Sequence, residues 1–236
     1  MWHCPMRWAG RIGLVLVALP ALWRGPCSAQ EEEARKPPDE VLQAVRAVRH
    51  FQELEVLPED APDLPSVDDL VGPLSVLQKA AEESPDLDAR LLALLYAIDC
   101  YRSLGDQAEE ARATERFFGL LQERREEQTA WRHVNAYAQH RLFRGLRVVS
   151  FTNAWGRPEE KLFDTELVQQ AAQAYEKLAA WFPESDLGPK ALDKAAWIFY
   201  ACLNDYDTAI PLCERIANQW PDTDYHLRAE WRLGMM

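Results

Sequence analysis

The sequence has few glycines, no long apolar run, and none of the motifs that mark common catalytic sites. Ten glycines and 15 prolines in 236 residues are too few for a fibrous protein, and a hydrophobic content of 48% is too high for a disordered chain. No Gly-rich phosphate-binding loop, His-Glu-x-x-His or Gly-x-Ser-x-Gly sequence occurs. No alternating run of β-branched residues predicts a strand. We therefore predict a globular all-α protein that has no catalytic site and uses no cofactor.

The chain also has a deficit of positive charge. Its 26 Lys and Arg residues stand against 38 Asp and Glu residues, which gives a formal net charge of −12. This balance argues against nucleic-acid binding through phosphate neutralisation. An acidic chain attracts a basic surface instead. We predict a protein or peptide partner with a basic surface.

The amino terminus has the pattern of a secretory signal peptide. Residues 1–29 contain three arginines and no acidic residue, and residues 12–23 form an apolar run of 12 residues. This run is shorter than the roughly 20 residues that span a bilayer. The small residues Ser28 and Ala29 predict cleavage after Ala29, which lowers the net charge from −12 to −15 by removing three arginines. An uncleaved anchor or a buried first helix is the alternative.

The five cysteines do not form a recognisable metal or redox motif. Cys27 raises the alternative of lipidation, but the Arg24 and Pro26 that precede it fit a lipoprotein signal badly. Membrane association is therefore expected only through partners or, as the lesser alternative, through lipidation at Cys27. The cysteines that remain after cleavage are odd in number and lie in no Cys-x-x-Cys pair, which predicts burial as small hydrophobic residues: Cys100, Cys202 and Cys213.

Proline and charge patterns divide the remaining sequence. We predict a charged linker over 30–38, an isolated or docking helix over 39–57, a Pro-rich acidic linker over 58–72, and a helical-repeat domain over 73–236. The predicted helices of that domain are 73–83, 87–104, 107–126, 128–149, 165–182, 188–203, 207–219 and 224–234.

An internal repeat is the most informative feature of the sequence. Residues 171–187 align without a gap with residues 209–225, at an offset of 38. Phe182-Pro183 matches Trp220-Pro221, and Ala191 matches Ala229. A period of this length is typical of solenoids, in which proline ends each helix and small residues let helices approach closely.

The stretch 190–221 resembles a tetratricopeptide repeat, with Tyr200, Ala209 and Pro221 at the spacing of that family. Residues 165–234 carry the resemblance clearly, and residues 77–123 suggest a degenerate repeat at an offset of 99. The acidic repeat ends are similar to those of bacterial envelope proteins, namely the lipoprotein of the β-barrel assembly machinery and the Tol-Pal-associated cell-division coordinator. The resemblance implies an antiparallel helix-hairpin solenoid that serves as a non-catalytic adaptor in the periplasm or at the periplasmic face of the outer membrane.

Helical spacing selects the candidate partner-binding residues. In such arrays the first helix of a hairpin lines the binding groove, which for residues 188–219 predicts contacts from one face of 188–203. Trp197 and Tyr200 are expected to hold the fold instead. Trp155, in an irregular stretch, is a further candidate contact. The predicted groove residues are Ala191, Lys194, Ile198, Ala201 and Cys202.

Two other functions stay open at this stage. The incomplete repeat at the end of the sequence fits a substrate-recruiting segment of a larger envelope enzyme or polymer machine. His133 and His140, seven residues apart, could belong to an α-helical metal protein, although a solvated helix face shared with Arg132 and Arg141 explains them better.

Overall fold

Short polar side chains open most of the helices in the computed structural model. Asp86, Asp164, Asp205 and Thr223 each accept hydrogen bonds from backbone N–H groups two or three residues ahead, at 3.0 to 3.4 Å. These bonds satisfy donors that have no partner within the helix.

The structure describes residues 37–54, 66–124, 126–146 and 164–236, all of which belong to the unit Pro37–Met236. The predicted signal peptide, Cys27 and Trp155 lie outside these residues. No helix among the described residues is long and apolar enough to cross a membrane. The helices are α1 (Asp39–Leu54), α2 (Val71–Glu83), α3 (Leu87–Ser103), α4 (Gln107–Arg124), α5 (Glu127–Gly145), α6 (Thr165–Trp181), α7 (Leu187–Trp197), α8 (Tyr206–Gln219) and α9 (Asp224–Met235), with a 3-10 turn at Val67–Leu70 and a π-helix at Ile198–Leu203 that continues α7.

Consecutive helices pack against each other, and several alternate helices also touch. The α3–α4, α5–α6 and α7–α8 pairs form hairpins, while α1 contacts α3 and α7 contacts α9. The described part of the chain contains no strand. These contacts confirm the predicted all-α helix-hairpin solenoid.

The amino-terminal boundaries differ from the predicted ones. Of the two alternatives for the helix predicted over 39–57, isolated or docking, the contacts agree with docking, because Val41, Val48 and Phe51 are buried and α1 packs on α2 and α3. The prediction of a linker up to residue 72 is wrong at its end. Ser66 begins a 3-10 turn whose first residues are capped by its side chain, and α2 follows directly from Val71.

Two turns share one backbone geometry at an offset of 99. Gly105 (φ 74°) and Asn204 (φ 52°) are both left-handed, and each is followed by an aspartate that caps the next helix. A left-handed residue after a helix satisfies its last carbonyls. The turns after α3 and after the π-helix are therefore equivalent in structure.

The seam between repeats depends on a close approach at Gly188. A Cβ atom at this residue would lie 2.9 Å from the Phe182 carbonyl oxygen and 3.0 Å from the Trp220 ring. Only glycine fits this space without movement of its neighbours. The Trp220 ring and the Phe182 carbonyl thus approach the backbone of Gly188, where there is no side chain.

Candidate partner-binding surface

The exposed side of α7 and of the π-helix that continues it carries lysine, tryptophan and alanine side chains. Lys194 and Ala201 are exposed, and Trp197 is 43% exposed although it is a large apolar residue. The spacings of three and four residues place these side chains on one face. This face, formed by Lys194, Trp197 and Ala201, is called the α7 arc below.

The structure corrects two of the predicted groove residues. Ala191 and Ile198 are 0% exposed, so the prediction that they contact a partner is wrong. The predicted face therefore overlaps the exposed face only in part, since Lys194 and Ala201 are exposed whereas Ala191 and Ile198 are not. The repeat match of Ala191 with Ala229 already indicated a close helix approach and hence burial at this position.

The burial of Cys202, Trp197 and Tyr200 also differs in part from the prediction. Cys202 is half-buried. Trp197 is predicted to hold the fold, but a large part of its side chain is exposed, so that prediction is wrong in part. Tyr200 is half-buried, and its ring contacts the Tyr206 ring at a centroid distance of 5.9 Å. A π-helix widens the turn from Ile198 onward, which alters the angular spacing that the prediction assumed.

A cation–π contact joins α7 to α5 next to the α7 arc. The Lys190 ammonium nitrogen lies 3.8 Å from the centroid of the Trp131 ring. Lys190 precedes Lys194 by four residues and so lies on the same side of the helix. Lys190 is not among the predicted groove residues, although its spacing of four residues from Lys194 indicates the same side of the helix. Phe143 on α5 is a further exposed aromatic residue, at 72%.

A buried carboxylate organises the helices that precede this surface. Asp99 on α3 is fully buried and accepts hydrogen bonds from Gln52 of α1 at 3.0 Å and from Arg141 and Arg144 of α5 at 3.1 and 2.9 Å. The Nε2–H of His140 donates to the same carboxylate. One aspartate thus connects α1, α3 and α5.

The charge around Asp99 determines its titration. Burial alone would raise the pKa of Asp99, but His140, Arg141 and Arg144 outweigh burial and hold the pKa far below its usual value. Arg141 is itself fully buried, and its Nε and Nη2 atoms have no hydrogen-bond partner among the residues that the structure describes. Asp99, His140, Arg141 and Arg144 form a largely buried polar cluster, called the Asp99 cluster below.

The histidines of α5 each hydrogen-bond to a different aspartate of α3, rather than lying on a solvated face. His133 donates to Asp88 at 2.7 Å, and Arg132 also binds that carboxylate, at 2.7 Å. Burial raises the pKa of Asp88, but its bonds to His133 and Arg132 lower it below the usual value. The predicted solvated face is wrong, because α5 packs these side chains against α3. No group of three possible metal ligands occurs among the described residues.

The cysteines are free thiols in the described part of the chain. Cys100 and Cys213 are buried, as predicted for small hydrophobic residues. Burial raises the pKa of the Cys100 thiol to about 12, and it also raises the pKa of Cys213. Thiols with raised pKa values are poor nucleophiles at neutral pH.

A cleft of about 400 Å³ opens between α4, α5 and α6. Three glutamates line it, and one of them, Glu110, pairs with Arg102 at 3.3 Å. Lys177 lies over the Phe118 ring at 4.5 Å from its centroid, on the wall of the cleft. The full lining is Gln107, Glu110, Ala111, Thr114, Glu115, Phe118, Tyr137, Glu166, Gln170, Gln173, Ala174 and Lys177.

One comparison with known proteins gives a match. The tetratricopeptide repeat family model matches residues 190–223, which include most of α7 and all of α8. The chain therefore contains a tetratricopeptide repeat. Neither the curated proteins nor the solved structures include a match to this chain. Tetratricopeptide repeats generally bind proteins or peptides and typically build interaction scaffolds rather than catalytic centres, so the match indicates an interaction scaffold.

Proposed function

We propose that this protein is an exported, non-catalytic adaptor of the bacterial cell envelope, and that it binds a protein or peptide at the α7 arc. The observation that carries the proposal is the coincidence of two features on one helix. The tetratricopeptide repeat match begins in α7, and α7 exposes Trp197 to solvent. Exposed tryptophans are enriched at the centres of binding surfaces.

The chemistry of the α7 arc defines what a partner must offer. The Lys194 ammonium group needs a carbonyl or carboxylate oxygen, and the Trp197 ring needs an apolar or cationic group. The partner's basic surface, inferred from the net charge of −12, acts at longer range. Opposite net charges speed encounter, while short-range contacts set the dissociation rate.

The amino-terminal sequence supports the cellular location. A basic start, a short apolar run and Ser28-Ala29 are the sequence features of a signal peptide. The acidic repeat ends, which resemble those of envelope proteins, support the same location. The adaptor function and the location are separate parts of the proposal.

A capture experiment with matched variants tests the adaptor function. The immobilised mature chain is incubated with an envelope extract, and proteins that it enriches are compared with those enriched by the double variant Lys194→Glu, Trp197→Glu. We expect the amount of captured partner to fall at least tenfold with the double variant. Lys194→Glu reverses a charge, and Trp197→Glu replaces an apolar ring with a carboxylate.

The control is Val71→Glu, which alters an exposed apolar residue on α2. This variant should retain the partner. Val71→Glu should keep the wild-type melting temperature, since exposed substitutions usually change stability by less than about 0.5 kcal/mol, and circular dichroism checks that the double variant is folded. Equal capture by the double variant and the wild-type chain contradicts binding at the α7 arc.

A further inference from the structure

The cleft between α4, α5 and α6 has an aromatic part. Phe118 and Tyr137 line it, are buried, and contact each other at a ring centroid distance of 5.2 Å. Aromatic rings provide a large apolar area and a negatively polarised face. The cleft volume of about 400 Å³ lies within the range of roughly 300–1,000 Å³ that ligand pockets have. The cleft therefore has room for a side chain of another molecule.

The chain itself places a cation in this cleft. The Lys177 ammonium nitrogen lies 4.5 Å from the centroid of the Phe118 ring, and the Lys177 side chain is exposed. No carboxylate of the described residues forms an ion pair with Lys177. Attraction between a cation and a ring face thus already operates here. Because this ring is the one attractive contact described for the ammonium group, a cation that also binds carboxylates can replace it.

Negative charge exceeds positive charge in the lining. Its charged residues are three glutamates and one lysine, which gives a formal net charge of −2. The ion pairs of the glutamates join Glu110 to Arg102 at 3.3 Å and to Arg141 at 4.0 Å, and Glu166 to Arg102 at 3.1 Å. Arg102 is shared with a further carboxylate, that of Asp164, at 2.9 Å. Glu115 is exposed and has no ion pair in the part of the chain that the structure describes, so the lining can still bind a cation.

Hydrogen-bond acceptors also exceed donors in the lining. The Nε2 group of Gln170 donates to Glu166 at 3.2 Å, and this bond fixes the orientation of the amide because a carboxylate only accepts. The Oε1 atom of Gln170 is then left buried without a donor among the described residues. Buried polar atoms without a partner are uncommon in native proteins. A ligand with several N–H donors suits such a lining.

We propose that the cleft receives an arginine side chain from the basic surface of a partner protein or peptide. A guanidinium group is planar, stacks on aromatic faces and donates in a fork that fits a carboxylate, whereas an ammonium group is a compact point charge. Glu115 precedes Phe118 by three residues and so lies on the same side of α4. The arginine replaces Lys177 on the Phe118 ring and pairs with Glu115. The cleft shares no residue with the α7 arc and is a second contact site.

Fluorescence anisotropy with a labelled peptide of alternating glycine and arginine measures binding to the mature chain. Salt at about 0.15 M screens attraction beyond about 8 Å, so the net charge of the whole chain contributes little. The arginine peptide should bind at least fivefold more tightly than the same peptide with lysine. Glu115→Gln should raise the Kd for the arginine peptide at least threefold. Lys177→Gln should lower this Kd at least threefold, because it vacates the face of the Phe118 ring.

Glu123→Gln and Lys79→Gln are the matched controls, since they make the same charge changes at exposed residues outside the lining and should leave the Kd within twofold. Equal binding of the two peptides overturns the proposal, as does a Kd of a folded Glu115→Gln or Lys177→Gln chain that equals that of its control. Circular dichroism reports folding, and if one cleft variant is unfolded the other decides.

The basic surface of the partner belongs to the proposed function, on which the inference rests in this respect. The peptide assay, however, needs neither the envelope partner nor a residue of the α7 arc. Peptide binding that persists in the Lys194→Glu, Trp197→Glu variant while partner capture is unchanged would contradict the arc alone. Failure of the peptide to bind, with capture lost in that variant, would contradict the cleft alone.

Discussion

Glycines in two helices of this protein differ only in what surrounds them. Gly188 in α7 has the Phe182 carbonyl oxygen and the Trp220 ring where a Cβ would be placed, whereas Gly119 in α4 has nothing within 4 Å. The two residues therefore separate the effect of packing from the effect of helix propensity.

Alanine at these two positions should change stability in opposite directions. Gly188→Ala forces a backbone carbonyl and a ring apart, and overpacking of this kind costs about 1–3 kcal/mol. Gly119→Ala should raise the free energy of unfolding by about 0.5–1 kcal/mol, since alanine has the higher helix propensity and less freedom in the unfolded chain. Urea denaturation of both variants measures the difference. A stabilising Gly188→Ala would show that the seam between repeats is looser than described.

At the scale of single elements, the turn after the π-helix contains a strained residue. Asn204 has a φ of 52°, whereas the equivalent turn after α3 has glycine at this place. Asparagine tolerates the left-handed region better than other residues with a Cβ, but glycine adopts it without a steric penalty.

Asn204→Gly should stabilise the protein by up to about 1 kcal/mol, and Asn204→Ala should destabilise it by about 1 kcal/mol. Thermal unfolding checks whether the melting temperature falls in the order Asn204→Gly, wild type, Asn204→Ala. An unchanged melting temperature in both variants would mean that the turn relaxes to a right-handed conformation without cost.

The helices were predictable from the sequence, whereas their orientation was not. Proline, glycine and aspartate end or begin most helices, so the boundaries of α3, α6 and α8 agree within two residues with the predicted ones. The exposed side of α7 was not predictable from spacing, because helical periodicity defines a face only relative to neighbours. Burial of Ile198 and exposure of Trp197 depend on how α7 sits between α6 and α9.

The site around Asp99 was hidden for a similar reason. Its position inside an apolar run of α3 was a visible signal of a buried charge. Its partners on α5, however, lie 41 to 45 residues further along the chain. Their pairing follows from the docking of α5 on α3, and no local pattern encodes that contact. The histidines of α5 were consequently assigned to solvent.

At the scale of the whole molecule, the Asp99 cluster makes the free energy of unfolding depend on pH in the acidic range. In the unfolded chain an aspartate takes up a proton near pH 4, but in the folded protein Asp99 stays ionised well below that pH. Its contribution is therefore complete above about pH 5 and is lost as the pH falls through the range below about 4. The lowered pKa of Asp88 adds to the same trend.

Asp99→Asn tests this contribution. It leaves Arg141 buried without its carboxylate, and breaking a buried ion pair in this way costs about 3–5 kcal/mol at pH 7. The control Glu109→Gln removes an ion pair with Arg112 on the surface of α4 and should cost less than about 1 kcal/mol. Urea denaturation between pH 3 and 7 should show a shallower loss of stability in acid for Asp99→Asn than for the wild-type chain. Parallel pH profiles would assign the acid sensitivity to other groups.

The connection of α1, α3 and α5 through one carboxylate also bears on how the array opens. Repeat arrays usually fray from a terminal element, because each unit contacts only its neighbours. Detachment of α1 withdraws Gln52 from Asp99 and weakens a cluster that also holds α5. We therefore expect opening of α1 to be coupled to opening of α3 and α5, so that backbone amides in these three helices exchange with solvent as one unit.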